Sequence, residues 1–265
     1  MKNLLQRTLA GSVYVALIVI GIMWSEYSFL ALFAAVTALC LWEFYGLLGK
    51  QKQIRFHRFF DCLGGVILFV SMFLYAQGVF GYPVFALYLL YVVIVLIVEL
   101  YEKQNDPITH TAYVFFGQSY IALPVSILNL IVFSPAATES AQYSPLLALA
   151  LFVFIWINDT GAYLVGSLIG KHRLFERISP KKSWEGFFGG LVFTTGTSFI
   201  FNYFIPEIPY YHWIGLSIVI VVFGTLGDLI ESLMKRTLDV KDSGTAIPGH
   251  GGFLDRVDSF LLGVY

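Results

Sequence analysis

The chain has 265 residues, 58% of them hydrophobic and only 12% charged; a soluble domain carries about 25% charged residues, so part of this surface must face lipid. The formal net charge of −1 excludes bulk attraction to nucleic acid. Two cysteines, Cys40 and Cys62, without CxxC spacing exclude a disulfide or thiolate-metal framework and read as small apolar fillers.

A helix that crosses a bilayer needs about twenty mostly apolar residues. Eight stretches qualify, over 9–24, 27–48, 59–76, 82–100, 111–133, 145–169, 184–204 and 213–234. The first lacks a small-residue cleavage pattern and more spans follow at once, so it is not read as a signal peptide. All 16 Lys+Arg then fall on one side of these spans. Lys2 and Arg7 precede the first; Lys50, Lys52, Arg55 and Arg58 follow the second; Lys103 follows the fourth. Lys171, Arg173, Arg177, Lys181 and Lys182 follow the sixth; Lys235, Arg236, Lys241 and Arg256 follow the eighth. The opposite loops, around Glu26, 78–81, 134–143 and 205–211, hold none. The positive-inside rule therefore predicts an all-α polytopic transmembrane bundle with its N-terminus and charged loops in the cytoplasm. Residues 260–265 start another apolar run, read as a truncated ninth span in preference to a re-entrant stub.

Residues 1–135 read as a transmembrane scaffold and 136–265 as a transmembrane catalytic region, within one membrane domain that shows no internal repeat. Glu43 and Asp61 are exceptions in the apolar first half. Both lie near the cytoplasmic ends of their spans, where an interfacial carboxylate and a site residue are equally good readings.

Three polar clusters fill the second half. Asn158-Asp159-Thr160-Gly161-Ala162-Tyr163 lies within the sixth span. A carboxylate at membrane depth costs about 2.5–3.5 kcal/mol, so Asp159 needs a partner, an ion or a water-filled cavity; a polar staple between helices is the plainer alternative. The second cluster is Gly170-Lys171-His172-Arg173 with Ile178-Ser179-Pro180-Lys181-Lys182-Ser183-Trp184-Glu185-Gly186. Lysines supply point charges and Ser183 is placed to cap a helix whose free N–H groups favour an anion, which suits polyphosphate. Cations that only set topology and meet anionic lipid heads are the alternative. Interleaved serines and Glu185 favour binding, and Gly186, Gly189 and Gly190 are predicted to let helices approach closely.

The third cluster begins Gly227-Asp228-Leu229-Ile230-Glu231-Ser232, continues through Lys235, Arg236, Lys241 and Asp242, and closes with 248–259. Asp228, Glu231, Ser232 and Lys235 share one helical face by their i, i+3, i+4 and i+7 spacing. Glycines in the loop allow close backbone approach to a phosphate. Asp255 and Asp258, three apart, complete an all-oxygen ligand set suited to a hard cation such as Mg²⁺, while the absence of Cys ligands and of HExxH argues against zinc. An ion-paired, solvated loop is the bland alternative; desolvated carboxylates at a span end need a counter-ion.

The stretch 232–258, SLMKRTLDVKDSGTAIPGHGGFLDRVD, resembles the signature of the phosphatidate cytidylyltransferases, also called CDP-diglyceride synthases. NDTGAYLVGSLIGK…ISPKKSWEG is similar to a second region shared in that family. The resemblance covers roughly 152–259, the N-terminal half agreeing only in hydropathy and span count. It implies a phospholipid-biosynthesis enzyme of the cell (inner) membrane, with its active site facing the cytoplasm. That enzyme makes CDP-diacylglycerol and pyrophosphate from CTP and phosphatidate with Mg²⁺, and a second cation and a homodimer are expected. Carried over by position, Asp228, Asp255 and Asp258 are implied as metal carboxylates. Asp228, Lys235, Arg236, Lys241, Asp242, His250 and Arg256 are expected in catalysis. Asn158, Asp159, Lys171, Ser179, Lys181, Lys182, Ser183, Glu185, Ser232, Gly251 and Gly252 are expected to bind substrate. Family members usually continue into a further span beyond the point where this chain stops.

Two rivals remain in view. A CTP-dependent polyprenol or dolichol kinase would use similar residues and release CDP. An ion-coupled transporter would explain Asp159 and Asp228 in spans, although such folds place broken helices in both halves. A CDP-alcohol phosphotransferase is disfavoured because its DGxxAR pattern is absent.

Overall fold

The computed structural model describes residues 2–102, 106–134, 142–244, 246 and 251–265. Lys103 and His250 lie outside the described residues. The described chain is helical nearly throughout, with two short antiparallel strand pairs, in agreement with the predicted helical bundle. Each of the eight apolar stretches lies on helical backbone apart from a terminal residue at most, and several of the helices run three to seven residues further. Among the described residues, six helical segments are long and apolar enough to cross a membrane: Glu26–Lys52, Arg58–Ala76, Tyr82–Tyr101, Pro107–Val132, Pro145–Ile169 and Tyr210–Thr237. The apolar part of the first helix, Thr8–Met23, is shorter, and Trp184–Phe204 is diluted by glycine and threonine. The chain is thus built as a multi-pass membrane protein. Two compact units divide it, Met1–Ala148 with Asp242–Asp255 and Leu149–Lys241 with Arg256–Tyr265.

The first unit contains α1 (Lys2–Met23), α2 (Glu26–Lys52), α3 (Arg58–Ala76), α4 (Ala86–Tyr101), α5 (Pro107–Gly117) and α6 (Leu123–Val132). Ser25 starts α2 with a reciprocal cap: its hydroxyl accepts from Ser28 N–H at 3.1 Å, and the Ser28 hydroxyl accepts from Ser25 N–H at 2.9 Å. Asp106 and Pro107 start α5, the Asp106 carboxylate accepting from Thr109 N–H at 3.0 Å; a fixed proline φ and a satisfied orphan donor explain the onset there. α2 packs on α3 and α3 on α6, burying the rings of Phe29, Phe33, Phe69 and Phe73. A π-helical turn, Gln118–Ala122, joins α5 to α6 and turns Gln118 into the core. Its amide donates to the Asp61 carbonyl at 2.8 Å and the Tyr45 hydroxyl at 3.2 Å. Cys40 and Cys62 are buried and form no disulfide among the described residues, as fillers should. α4 leaves Leu87, Leu89, Val93 and Leu96 exposed, an apolar surface of the kind that lipid covers. Strands β1 (Phe133–Ser134) and β2 (Gln142–Tyr143) pair antiparallel, Phe133 opposite Tyr143.

The second unit takes α7 (Pro145–Ile169) from Leu149 onward, strands β3 (Arg173–Phe175) and β4 (Ser179–Ser183), then α8 (Trp184–Phe204), α9 (Tyr210–Thr237) and α10 (Asp258–Gly263). α8 and α10 both pack on α9. Phe152 stacks on Phe260 at 5.2 Å between centroids. A Cβ at Gly227 would lie 2.6 Å from the Asp258 carbonyl oxygen, so glycine there lets the start of α10 seat directly on α9.

Candidate active site

The second unit encloses a cavity of about 570 Å³, within the usual range for a small-molecule site. α7 lines it with Asn158, Asp159, Tyr163 and Gly166; the β3–β4 hairpin with Arg173, Lys181, Lys182 and Ser183; α8 with Gly186 and Phe187; α9 with Thr225 and Asp228. Asp159, Tyr163 and Gly166 follow helical i, i+4, i+7 spacing, which turns one face of α7 inward. Asn158 is 3% exposed, and its Oδ1 has no hydrogen-bond partner among the described residues.

The hairpin is held to the helices by local chemistry. Ser183 caps α8, its hydroxyl accepting from Gly186 N–H at 3.1 Å, as its position before Trp184-Glu185-Gly186 predicted. Glu185 does not line the cavity. Its carboxylate accepts from Lys171 N–H at 3.1 Å and His172 N–H at 3.2 Å, and pairs with His172 Nδ1 at 2.6 Å. Glu185 thereby fixes the turn between α7 and β3, while Lys171 itself is exposed. Ser179 sits in β4 opposite Phe175. Gly186 lies against Gly166, where an added Cβ would be 2.8 Å from the Ala162 carbonyl oxygen, and Gly189 lies as closely against Val165. These glycines bring α7 and α8 together, as expected.

At one wall Lys182 Nζ stands 2.5 Å from Asp228 Oδ2, and the Ser232 hydroxyl donates to Asp228 Oδ1 at 3.2 Å. One turn on, Lys235 Nζ donates to Glu231 Oε2 at 2.9 Å. The carboxylates of Asp228, Glu231 and Asp258 each offer an oxygen within 4.8 Å of the others. Burial, and then the Asp228 charge, push the Asp258 carboxyl up to about 6. Three close carboxylates are mutually repulsive, and two lysines offset only part of that charge. The all-oxygen set fits a hard divalent cation.

Asp255, expected as a metal carboxylate, belongs to the first unit. Its Oδ2 accepts from Ser243 N–H at 3.0 Å and Gly252 N–H at 2.8 Å. Glu231 joins Asp228 and Asp258 in the carboxylate group; the shared helical face included it, but it carried no metal assignment. Gly251 has φ +83°, and a Cβ there would strike the Asp255 carboxylate; its place is set by backbone conformation. Arg236 donates to the Val240 carbonyl at 3.2 Å, closing the end of α9. Lys241, Asp242 and Arg256 are exposed. Arg173 and Thr225 line the cavity without having been assigned; Arg173 carried a signal in the basic loop, whereas Thr225 carried none.

The sequence model of the Cytidylyltransferase family matches residues 5–265. The chain is 32% identical over 270 residues to the phosphatidate cytidylyltransferase of Bacillus subtilis (strain 168), covering 98% of this chain and 93% of that one. It is 38% identical over 170 residues to the phosphatidate cytidylyltransferase of Staphylococcus aureus (strain COL), covering 64% and 62%. The corresponding Staphylococcus epidermidis (strain RP62A) enzyme is 37% identical over 171 residues, with the same coverage. A match over almost the whole length, on a chain whose cavity joins lysines to a carboxylate group, makes this nucleotidyltransferase a member of the cytidylyltransferase family.

Proposed function

We propose that the protein transfers CMP from CTP to phosphatidate, giving CDP-diacylglycerol and pyrophosphate, at the cytoplasmic face of the cell (inner) membrane. The observation that carries this reading is the cavity itself, in which Arg173, Lys181 and Lys182 face Asp228 of the carboxylate group. The names of the relatives support the choice of substrates, and the one-sided distribution of Lys and Arg supports the orientation.

A phosphate oxygen of phosphatidate attacks the α-phosphorus of CTP, and the bond from that phosphorus to the bridging oxygen of pyrophosphate breaks. The attacking group is already ionised, so no strong general base is required. The obstacle is repulsion between two polyanions, which positive charge fixed in the site lowers. Arg173, Lys181 and Lys182 hold the triphosphate. Asp228, Glu231 and Asp258 would hold Mg²⁺, which when bound supplies charge neutralisation at the phosphoryl oxygens. Lys235 stays beside Glu231 and keeps that carboxylate in place.

The test is an assay of the purified protein in detergent with CTP and phosphatidate, Mg²⁺ withheld and then restored. CDP-diacylglycerol and pyrophosphate should appear only with Mg²⁺. CDP as product would favour a lipid kinase, and flux in proteoliposomes without CTP would favour a transporter. Asp228→Asn should abolish incorporation while leaving membrane insertion intact; wild-type turnover in that variant would refute the reading of the carboxylate group.

A further inference from the structure

The bonds of Glu185 stop one residue short of Arg173. From the first turn of α8 its Oε2 accepts from Lys171 N–H at 3.1 Å and His172 N–H at 3.2 Å, while its Oε1 meets His172 Nδ1 at 2.6 Å. The His172 carbonyl accepts from Trp184 N–H at 2.9 Å. His172 is therefore held to the start of α8 by its N–H, its ring and its carbonyl. Arg173 comes next in the chain. It stands opposite Ser183 in the β3–β4 ladder, and both residues line the cavity. Ser183 in turn caps α8 through Gly186 N–H at 3.1 Å. All of these residues belong to the second unit.

Strands of three and five residues make a hairpin that is marginal by itself. β4 runs straight into α8, so the Ser183 cap sets its place. β3 has no such continuity with α8 and depends on the bonds at His172. Hydrogen bonds to an ionised acceptor are the stronger kind. A guanidinium that starts from a fixed backbone also loses less freedom when it grips a phosphate. We propose that Glu185 is a positioning residue for Arg173. It pins the base of β3 to α8 and so holds the Arg173 guanidinium where it receives a polyphosphate, without touching the substrate itself. The inference rests on the cytidylyltransfer reading only where turnover is measured, since binding of a polyphosphate needs no reaction.

The experiment uses the full-length protein in detergent, as wild type, Glu185→Ala, Glu185→Gln, Glu185→Asp and Arg173→Met, with each Glu185 variant also combined with Arg173→Met. It reads the concentration of inorganic tripolyphosphate, without Mg²⁺, that gives half of the thermal stabilisation, and it reads KM for CTP and kcat separately. Glu185→Ala and Arg173→Met should each raise the tripolyphosphate midpoint about tenfold, the lower end of what losing a charged hydrogen bond costs. KM for CTP should rise with it, and kcat should fall less. In Glu185→Gln one amide oxygen can take both N–H groups, as Oε2 does, so the midpoint should stay within about threefold of wild type. Glu185→Asp keeps the charge but is one methylene short, and should resemble Glu185→Ala. Once Arg173 is gone, Glu185→Ala should add less than about twofold, because coupled residues do not add. If Glu185→Ala does not fold, the Asp and Gln variants carry the test, alone and on Arg173→Met. An Asp variant that outperforms Gln would overturn the proposal, since charge and not reach would then matter. So would additive effects, which mark general structural support, or a wild type that tripolyphosphate does not stabilise. A wild type that makes no CDP-diacylglycerol would sink the functional reading, while the tripolyphosphate midpoints would still decide the role of Glu185.

Discussion

The Lys182 ammonium lies 2.5 Å from Asp228 Oδ2, tying strand β4 to helix α9 across the cavity wall. Both side chains are about a quarter exposed, so the pair is worth more than an open surface bridge and is spared the full desolvation of a buried one. Asp228 also belongs to the carboxylate group, so Lys182 supplies positive charge at the point where a cation would bind. Lys182→Met keeps the stem and removes that charge. Turnover should fall about 100-fold, the effect of losing one well-placed charge on a phosphoryl transfer. Lys182→Arg should recover only part, because a planar fork does not replace a point charge. Steady-state kinetics with CTP varied checks both.

Gly190 is the second point of leverage. A Cβ there would overlap Asn158 Oδ1 and lie 3.0 Å from the Asn158 carbonyl oxygen. Asn158 is buried and cannot simply swing into solvent, so Gly190→Ala should strain the contact between α7 and α8. The expected loss is about 1–3 kcal/mol of stability, as for overpacking elsewhere. Turnover should also fall, since Asn158 and Asp159 line the cavity. Thermal melting in detergent, read beside the assay, measures the two effects separately.

Much of this was legible in the residues, and the reasons for the gaps are physical. Apolar runs predicted the helices because a helix in lipid must satisfy its own backbone, which leaves length and hydropathy as the signal. Helical spacing put Asp228, Glu231, Ser232 and Lys235 on one face, and the Asp228–Ser232 and Glu231–Lys235 bonds are its i, i+4 pairs. The β3–β4 hairpin was not legible: Arg173, Lys181 and Lys182 are neither apolar nor alternating, and the pairing rests on how α7 and α8 place the chain ends. Glu43 with Phe253 was beyond reach for another reason. Their bond spans 210 residues, and no periodicity within α2 points to its partner.

Carboxylate exchange separates the two acidic sets. Glu231 is 1% exposed and pairs with Lys235, 13% exposed at its side chain. Glu231→Gln weakens the contact with Lys235, which the Asp258 charge also reaches, and it relieves repulsion within the carboxylate group, so it should cost less than the roughly 3 kcal/mol of breaking an isolated buried pair. Adding Lys235→Met should return much of that stability. It should not return the response to Mg²⁺, because the ligand oxygen and its charge are still lost. Asp255 differs in kind, since one oxygen, Oδ2, takes both the Ser243 and Gly252 N–H groups. An asparagine oxygen can accept from the same two donors. Asp255→Asn should therefore shift the Mg²⁺ midpoint by less than about tenfold, and Glu231→Gln by more, within the range that loss of support around a metal site produces. Mg²⁺ titrations of thermal stability on the single and double variants decide the order. The reverse order would favour Asp255 over Glu231 as the metal carboxylate.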